Sequence, residues 1–347
     1  MYQKYGSWIP TGPGKDSLMK KRTVSWIMTA ALGVGALTGS MCSANLVFAE
    51  EQTEEQNAES EEETEQTDTD DSVMKIGALK GPTAMGMAQL LDDEKYEFSI
   101  VASPDEIVPM IVQGQVDIAA VPSNLASVLY QKTDKNISVL AVNTLGVLYL
   151  VENGDSIQSV EDLKGKTIYA SGKGATPEYA LTSVLEANGL DPEKDVTIEY
   201  KSEHAEVVAA LAEDQTAVGL LPQPFVTTAL MKNENLRVAL DLNDLWESSV
   251  TDGSKLVTGV LVARNDYLKE HEADVDAFMD AYKTSVEFVN SDTEAAAKII
   301  GAHDIIPEEV AVKALPECSI VFMEGDEMQT ILSGYLNTLN EQNPEII

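Results

Sequence analysis

The residues with chemistry to offer sit in loops, and most are hydrogen-bonding groups rather than nucleophiles. Lys80-Gly81-Pro82-Thr83, Pro122-Ser123-Asn124, the stretch 171–176 ending in Gly174-Ala175-Thr176, Ser202-Glu203-His204 and Pro222-Gln223-Pro224 each follow a strand-like run and precede a helix-like one. The first N–H groups of a helix lack intrahelical partners, and the positive end of its dipole points outward, so such a loop suits an anion or a hydrogen-bond acceptor. Thr83, Ser123 and Thr176 add hydroxyls, Asn124 and Gln223 add amides, and Gly81, Gly172 and Gly174 allow close backbone approach. Lys80 and Lys173 could offset a negative charge, although a lysine beside a glycine is most often just solvated. His204 opens a helix directly after a strand, a place that suits capping, core packing or a ligand equally well.

Bond-breaking chemistry has little support. The chain holds no Gly-x-Ser-x-Gly, no phosphate-binding Gly-x4-Gly-Lys-Ser/Thr and no His-Glu-x-x-His. His271 and His303 stand in charged helical surroundings and read as surface residues. Glu178 and His204 are the only acid–base pair that an enzyme built on these loops would have, and nothing in the sequence joins them. The only cysteines are Cys42 and Cys318, too few for a thiolate metal cluster. Neither a metal nor a cofactor is expected. With 23 Lys and Arg against 58 Asp and Glu, a net charge of -35, nucleic acid is not an expected partner, because phosphates need cations to displace their counterions.

The elements that must position these loops alternate between strand and helix. Residues 74–79, 96–102, 116–121, 167–170, 196–200 and 217–221 read as strands, with amphipathic helices predicted between them, the first over 84–91. This alternation implies α/β architecture with largely parallel sheets flanked by helices. One stretch is written twice at an offset of 100 residues: Glu106, Val108, Pro122 and Lys132 align with Glu206, Val208, Pro222 and Lys232. A shorter echo pairs Lys80-Gly81-Pro82-Thr83 with Lys173-Gly174-Ala175-Thr176. A duplicated unit predicts two similar lobes and a ligand crevice beyond the carboxyl ends of their strands. The chain is read as leaving lobe one near Gly146 and returning near Gly259, so that two crossings form a hinge. Lobe one is assigned residues 73–146 and 257–347, and lobe two residues 147–256. After Arg264 the pattern reads as purely helical, with these helices packing back on lobe one.

The N-terminal region reads as an export signal. Lys20-Lys21-Arg22 precedes an uncharged run, and Val47-Phe48-Ala49 offers a small-residue cleavage site. Residues 1–49 are assigned to this signal, with Met19 as an alternative start. A membrane-spanning helix and a lipid anchor at Cys42 are competing readings, the latter on a poorly matching motif. Residues 50–72 carry twelve carboxylates and no base and are expected to form a disordered acidic spacer. The globular remainder carries -27.

Ile118-Ala119-Ala120-Val121-Pro122-Ser123-Asn124, Val160-Glu161-Asp162-Leu163-Lys164-Gly165-Lys166 and Leu221-Pro222-Gln223-Pro224-Phe225 resemble the substrate-binding proteins of ABC importers, nearest to the family serving nitrate, sulfonates, taurine and thiamine-pyrimidine precursors. The resemblance spans about residues 73–341. It implies a type II periplasmic-binding-protein fold of two lobes, outside the cytoplasmic membrane, that captures a small solute and delivers it to a permease with its ATPase. It also implies cleft positions at Gly81 to Thr83, Ser123-Asn124, Gly174 to Thr176 and Gln223, with Asn143 and Thr144 as floor residues. A small organic anion is favoured as solute and a pyrimidine is the alternative; a monomer is expected. A pyrimidine synthase on the same fold has a cysteine-rich motif that this chain lacks. An enzyme of that kind and a solute-free surface sensor are the competing functions.

Overall fold

The computed structural model describes residues 73–214, 216–250 and 253–342, so the signal, the Cys42 anchor and the acidic spacer lie outside the described residues. The described chain begins with β1 (Met74–Leu79), α1 (Pro82–Met85), β2 (Tyr96–Val101), α2 (Pro104–Val112), β3 (Ile118–Pro122), α3 (Ser123–Lys132) and β4 (Ile137–Thr144). It then crosses to β5 (Leu148–Asn153), β6 (Thr167–Ser171), α4 (Thr176–Ala187), β7 (Thr197–Lys201), α5 (His204–Glu213), β8 (Val218–Pro222), α6 (Phe225–Lys232), β9 (Leu236–Asp241) and α7 (Leu242–Ser249). It returns through β10 (Gly259–Arg264), α8 (Asn265–Glu270), α9 (Glu272–Ser291), α10 (Thr293–Ala302), α11 (Glu308–Ala314), β11 (Ile320–Met323) and α12 (Gly325–Gln342).

Two sheets result. One is six-stranded, in the order β11-β4-β10-β3-β1-β2; the other is five-stranded, in the order β7-β6-β8-β5-β9. β1 pairs in parallel with β2 and β3, as β6 does with β7 and β8. The strands that arrive from the other lobe, β10 and β5, run antiparallel to both neighbours. Leaving aside the edge strand β11, each sheet therefore has the same order, with four strands pointing one way and one crossing strand inserted in reverse. The duplicated sequence stretch maps onto this symmetry: α2, β3 and α3 correspond to α5, β8 and α6. Strands buried on both faces read as unbroken apolar runs, as in β4, whose eight residues are all buried.

Three local expectations are corrected. The helix predicted over 84–91 is split into α1 and a separate 3-10 turn at Ala88–Leu90. Ser285 of α9 causes the break: its Oγ donates to Gly86 O at 2.8 Å and accepts from Gln89 N at 3.1 Å, replacing the bonds that would have continued the helix. The region after Arg264 is not purely helical, because β11 pairs antiparallel with the otherwise free edge of β4. The final helix, expected on lobe one, touches β4 there but also reaches lobe two. Its Ile331, Leu332, Tyr335, Leu336 and Leu339 share a core with Tyr179, Val184, Leu185 and Trp246, and the Trp246 and Tyr335 ring centroids are 5.6 Å apart. An apolar stripe predicts that a helix packs but not against which lobe.

Candidate solute site

The carboxyl ends of the co-directional strands in both sheets face the crossing segments 145–147 and 253–258. Each lobe ties its central loop to the crossing in the same way. Ser123 N donates to Thr258 O at 3.2 Å, and Gln223 N donates to Val147 O at 2.9 Å. The second crossing is fixed further by Thr258 Oγ1, which donates to Leu145 O at 2.5 Å.

On lobe one, Thr83, Asn143, Thr144 and Gly259 come together. A Cβ on Gly259 would lie 2.5 Å from Asn143 Oδ1, 2.8 Å from Thr83 Cγ2 and 2.9 Å from Thr144 Oγ1. Thr83 Oγ1 donates to Leu79 O, and Thr144 Oγ1 donates to Asn143 Oδ1. Asn143 is fully buried, and its Nδ2 has no partner among the described residues; the buried hydroxyl of Tyr282 lies beside the amide without adequate hydrogen-bond geometry. Gly81 has φ 122 where the chain turns into α1 at Pro82, a left-handed conformation that suits glycine.

Ser123 and Thr176, which open α3 on one lobe and α4 on the other, meet through a residue that sequence reasoning did not single out. The Tyr335 hydroxyl donates to Thr176 Oγ1 at 3.0 Å and also faces Ser123. Ser123 Oγ itself donates to Val257 O at 2.6 Å in the second crossing. Burial pushes the Tyr335 phenol up to about 12. The available signal was an aromatic hydroxyl inside an apolar stripe: a buried tyrosine needs a partner for its O–H.

On lobe two, His204 Nδ1 lies 2.5 Å from Ser171 Oγ, and its ring packs on Phe225 with centroids 4.8 Å apart. Burial lowers the imidazole to about 4, so His204 is neutral at physiological pH. Gln223 is buried, and its Oε1 accepts from the Thr227 hydroxyl at 2.8 Å. Gly174 N donates to Glu178 Oε2 at 2.5 Å, with Ala175 as the cap residue of α4. The Glu178 carboxylate thus caps its own loop and lies beside Tyr200, while His204 is held by Ser171, so no bond joins the nominated acid–base pair.

Both predicted cations have partners of their own. Lys80 Nζ donates to Asp304 O at 2.6 Å and pairs with Asp304 Oδ2 at 3.0 Å, and Lys173 is exposed with its ammonium 5.6 Å from the centre of the Tyr200 ring. Asn124 is half-buried in the first turn of α3. His271 pairs with Asp274 and His303 with Asp92 on the surface, as expected for them. Beyond the crossings, α11 of lobe one lies against α6 of lobe two, and Tyr149 Oη donates to Glu317 O at 3.1 Å. The lobes are therefore in contact with one another across the cleft.

Two α/β lobes with twinned topology, joined by two crossings and meeting at polar helix starts, define a two-lobed solute-binding protein of the periplasmic type. A family model described as "ABC transporter, phosphonate, periplasmic substrate-binding protein" matches residues 77–309, and the chain belongs to that family. It is the solute receptor of an ABC importer; receptors of this kind bind small solutes and work with a permease and its ATPase. No curated protein matches the chain. Among solved structures it is similar to an ABC transporter protein from Parabacteroides distasonis, at 24% identity and a TM-score of 0.67, covering 79% of this chain and 94% of the other. It is also similar to the periplasmic aliphatic sulphonate binding protein SsuA from Escherichia coli, at 19% identity and a TM-score of 0.64, covering 78% and 87%. The alkanesulfonate-binding protein SsuA from Xanthomonas axonopodis pv. citri, bound to MOPS, is similar at 18% identity and a TM-score of 0.58, covering 79% and 94%. At such identities the likeness is one of fold. The importer-receptor family expected from the sequence is upheld, although the matching model is described by phosphonates, a solute outside the expected set.

Proposed function

We propose that this receptor captures a small organic anion, a phosphonate or sulfonate, between its lobes outside the cytoplasmic membrane, as a monomer and without chemical change to the solute. In this reading lobe one comprises 73–146 and 257–347, with α12 reaching across, and lobe two comprises 147–256. The observation that carries the reading is the meeting of Ser123 and Thr176, the first residues of α3 and α4, at one tyrosine hydroxyl. Helix starts from both lobes then converge on one place, where the first-turn N–H groups other than that of Ser123, which is bonded to Thr258 O, favour an anion. Only the closed arrangement brings both starts to one solute, so binding favours closure. Thr83, Asn143, Thr144, Gln223 and His204 line the flanks of that place in this proposal. Neutral His204, with Nδ1 engaged by Ser171, has Nε2 left to orient an oxygen.

The test is titration calorimetry with methylphosphonate, ethanesulfonate, taurine and a hydroxymethylpyrimidine. A phosphonate or sulfonate is expected to bind, and His204→Gln should weaken it roughly tenfold, about 1.4 kcal/mol. Binding of the pyrimidine alone would favour the aromatic pair His204–Phe225 as a stacking site and overturn the anion reading.

A further inference from the structure

The last helix links the lobes a third time, and it does so without being part of the chain crossings. α12 follows β11, the edge strand of the first sheet, touches β4, and then lies on α4 and α7 of lobe two. Its far end is tied as well, since Gln342 Nε2 donates to Ser183 Oγ at 2.5 Å. Midway along it stands Tyr335, fully buried, with its ring on Trp246 and its hydroxyl on Thr176. The same hydroxyl faces Ser123, whose Oγ donates to Val257 O in the second crossing. A single O–H group therefore bonds to the first residue of α4 on lobe two and faces the first residue of α3 on lobe one, whose own Oγ is bonded to the second crossing. Ring packing alone would not require a hydroxyl at this point, and a buried O–H costs free energy unless it is bonded.

Resting on the receptor reading, we propose that Tyr335 is a positioning residue for solute capture: its hydroxyl sets the closure angle by holding the starts of α3 and α4 in register. Opening the lobes must break the Tyr335–Thr176 bond or pull α12 from one lobe. The variant Tyr335→Phe keeps the ring and removes the tie. Thr176→Val removes it from the other side with little change of shape.

The measurement is a pulsed-EPR distance distribution in the full chain without added solute. Spin labels are placed at Glu234→Cys, just past α6 on lobe two, and Lys313→Cys, in the last turn of α11 on lobe one, both exposed, in a Cys42→Ser background. Cys318 is buried, and burial with the nearby Glu317 pushes its thiol up to about 12, so it remains unlabelled. Both Tyr335→Phe and Thr176→Val should shift the distribution to longer and broader distances, and the double variant should add nothing further, as coupled partners do. Distributions that superimpose on the parent overturn the proposal, even if thermal stability falls, because that result describes packing alone. Should Tyr335→Phe fail to fold, Thr176→Val decides by the same criterion. No solute enters the measurement, so a silent calorimetric panel beside shifted distances would overturn the anion reading and leave this one standing.

Discussion

A Gly259→Val variant is expected to lose both stability and solute affinity. Gly259 begins β10, where the chain completes its second crossing, and pairs with both Pro122 and Thr144. The first side-chain carbon alone would lie 2.5 Å from Asn143 Oδ1, 2.8 Å from Thr83 Cγ2 and 2.9 Å from Thr144 Oγ1. These neighbours are short, Asn143 and Thr144 are buried, and Thr83 is bonded to Leu79 O, so none can swing away as the tip of a long chain would. Overpacking of this kind costs about 1–3 kcal/mol, and valine adds two methyls beyond the alanine case. Whatever relief occurs must move the start of α1 or the end of β4, both cleft positions in the proposed function. Chemical denaturation should show the midpoint shift, and calorimetry with the best-binding solute a loss of at least about tenfold, or about 1.4 kcal/mol. A variant with the parent's midpoint and affinity would remove Gly259 and its neighbours from the site.

The second large effect lies far from the cleft. Glu152, near the end of β5 away from the crossing, is buried. Burial alone would raise its carboxyl. The Ile157 N–H, the Ser156 hydroxyl, the Arg237 guanidinium and the Ser156 N–H outweigh burial and hold it below the usual carboxylate range. Glu152→Ala removes the acceptor of all four and leaves Arg237, about a third exposed, without that counter-ion. Breaking a buried pair costs about 3–5 kcal/mol, and the partial exposure of Arg237 argues for about 3 kcal/mol. The pH dependence follows from the lowered value. The contribution is present above about 4.3, the ordinary glutamate value of the unfolded chain, and is lost as pH falls through the lower folded value. Denaturation midpoints measured from pH 7 downward should therefore fall less steeply for Glu152→Gln than for the parent. Solute affinity should be unchanged in any variant that folds, in contrast to Gly259→Val.

The contrast between these positions shows what the sequence carried. The repeat at an offset of 100 residues was visible because symmetric units need the same apolar pattern, and Pro122 and Pro222 do close equivalent strands. The helix-start loops were legible for the same reason: proline, glycine and hydroxyl residues punctuate chains locally. What escaped depended on distant partners. The helix over 84–91 is interrupted by Ser285, nearly 200 residues onward, and no local propensity encodes that. β11 is a strand because β4 has a free edge to receive it, a tertiary effect that overrides a helical-looking context. β9 and α7, between α6 and the second crossing, are not among the expected elements. Lys80 looked like a candidate for an anion until the loop containing Asp304 was brought beside it. Tyr335 could not be told from the core residues around it until Thr176 stood opposite.

The engagement of Lys80 with Asp304 bears on how quickly a solute arrives. With that ammonium neutralised and Lys173 turned to the Tyr200 ring, the proposed site offers an incoming anion dipoles and hydroxyls, while the chain as a whole carries -35. Long-range repulsion should therefore retard encounter, and added electrolyte should relieve it within a screening length of about 8–10 Å near physiological strength. Stopped-flow association of a bound phosphonate or sulfonate is accordingly expected to accelerate with rising salt, the reverse of the behaviour of a receptor that draws anions in with surface lysines.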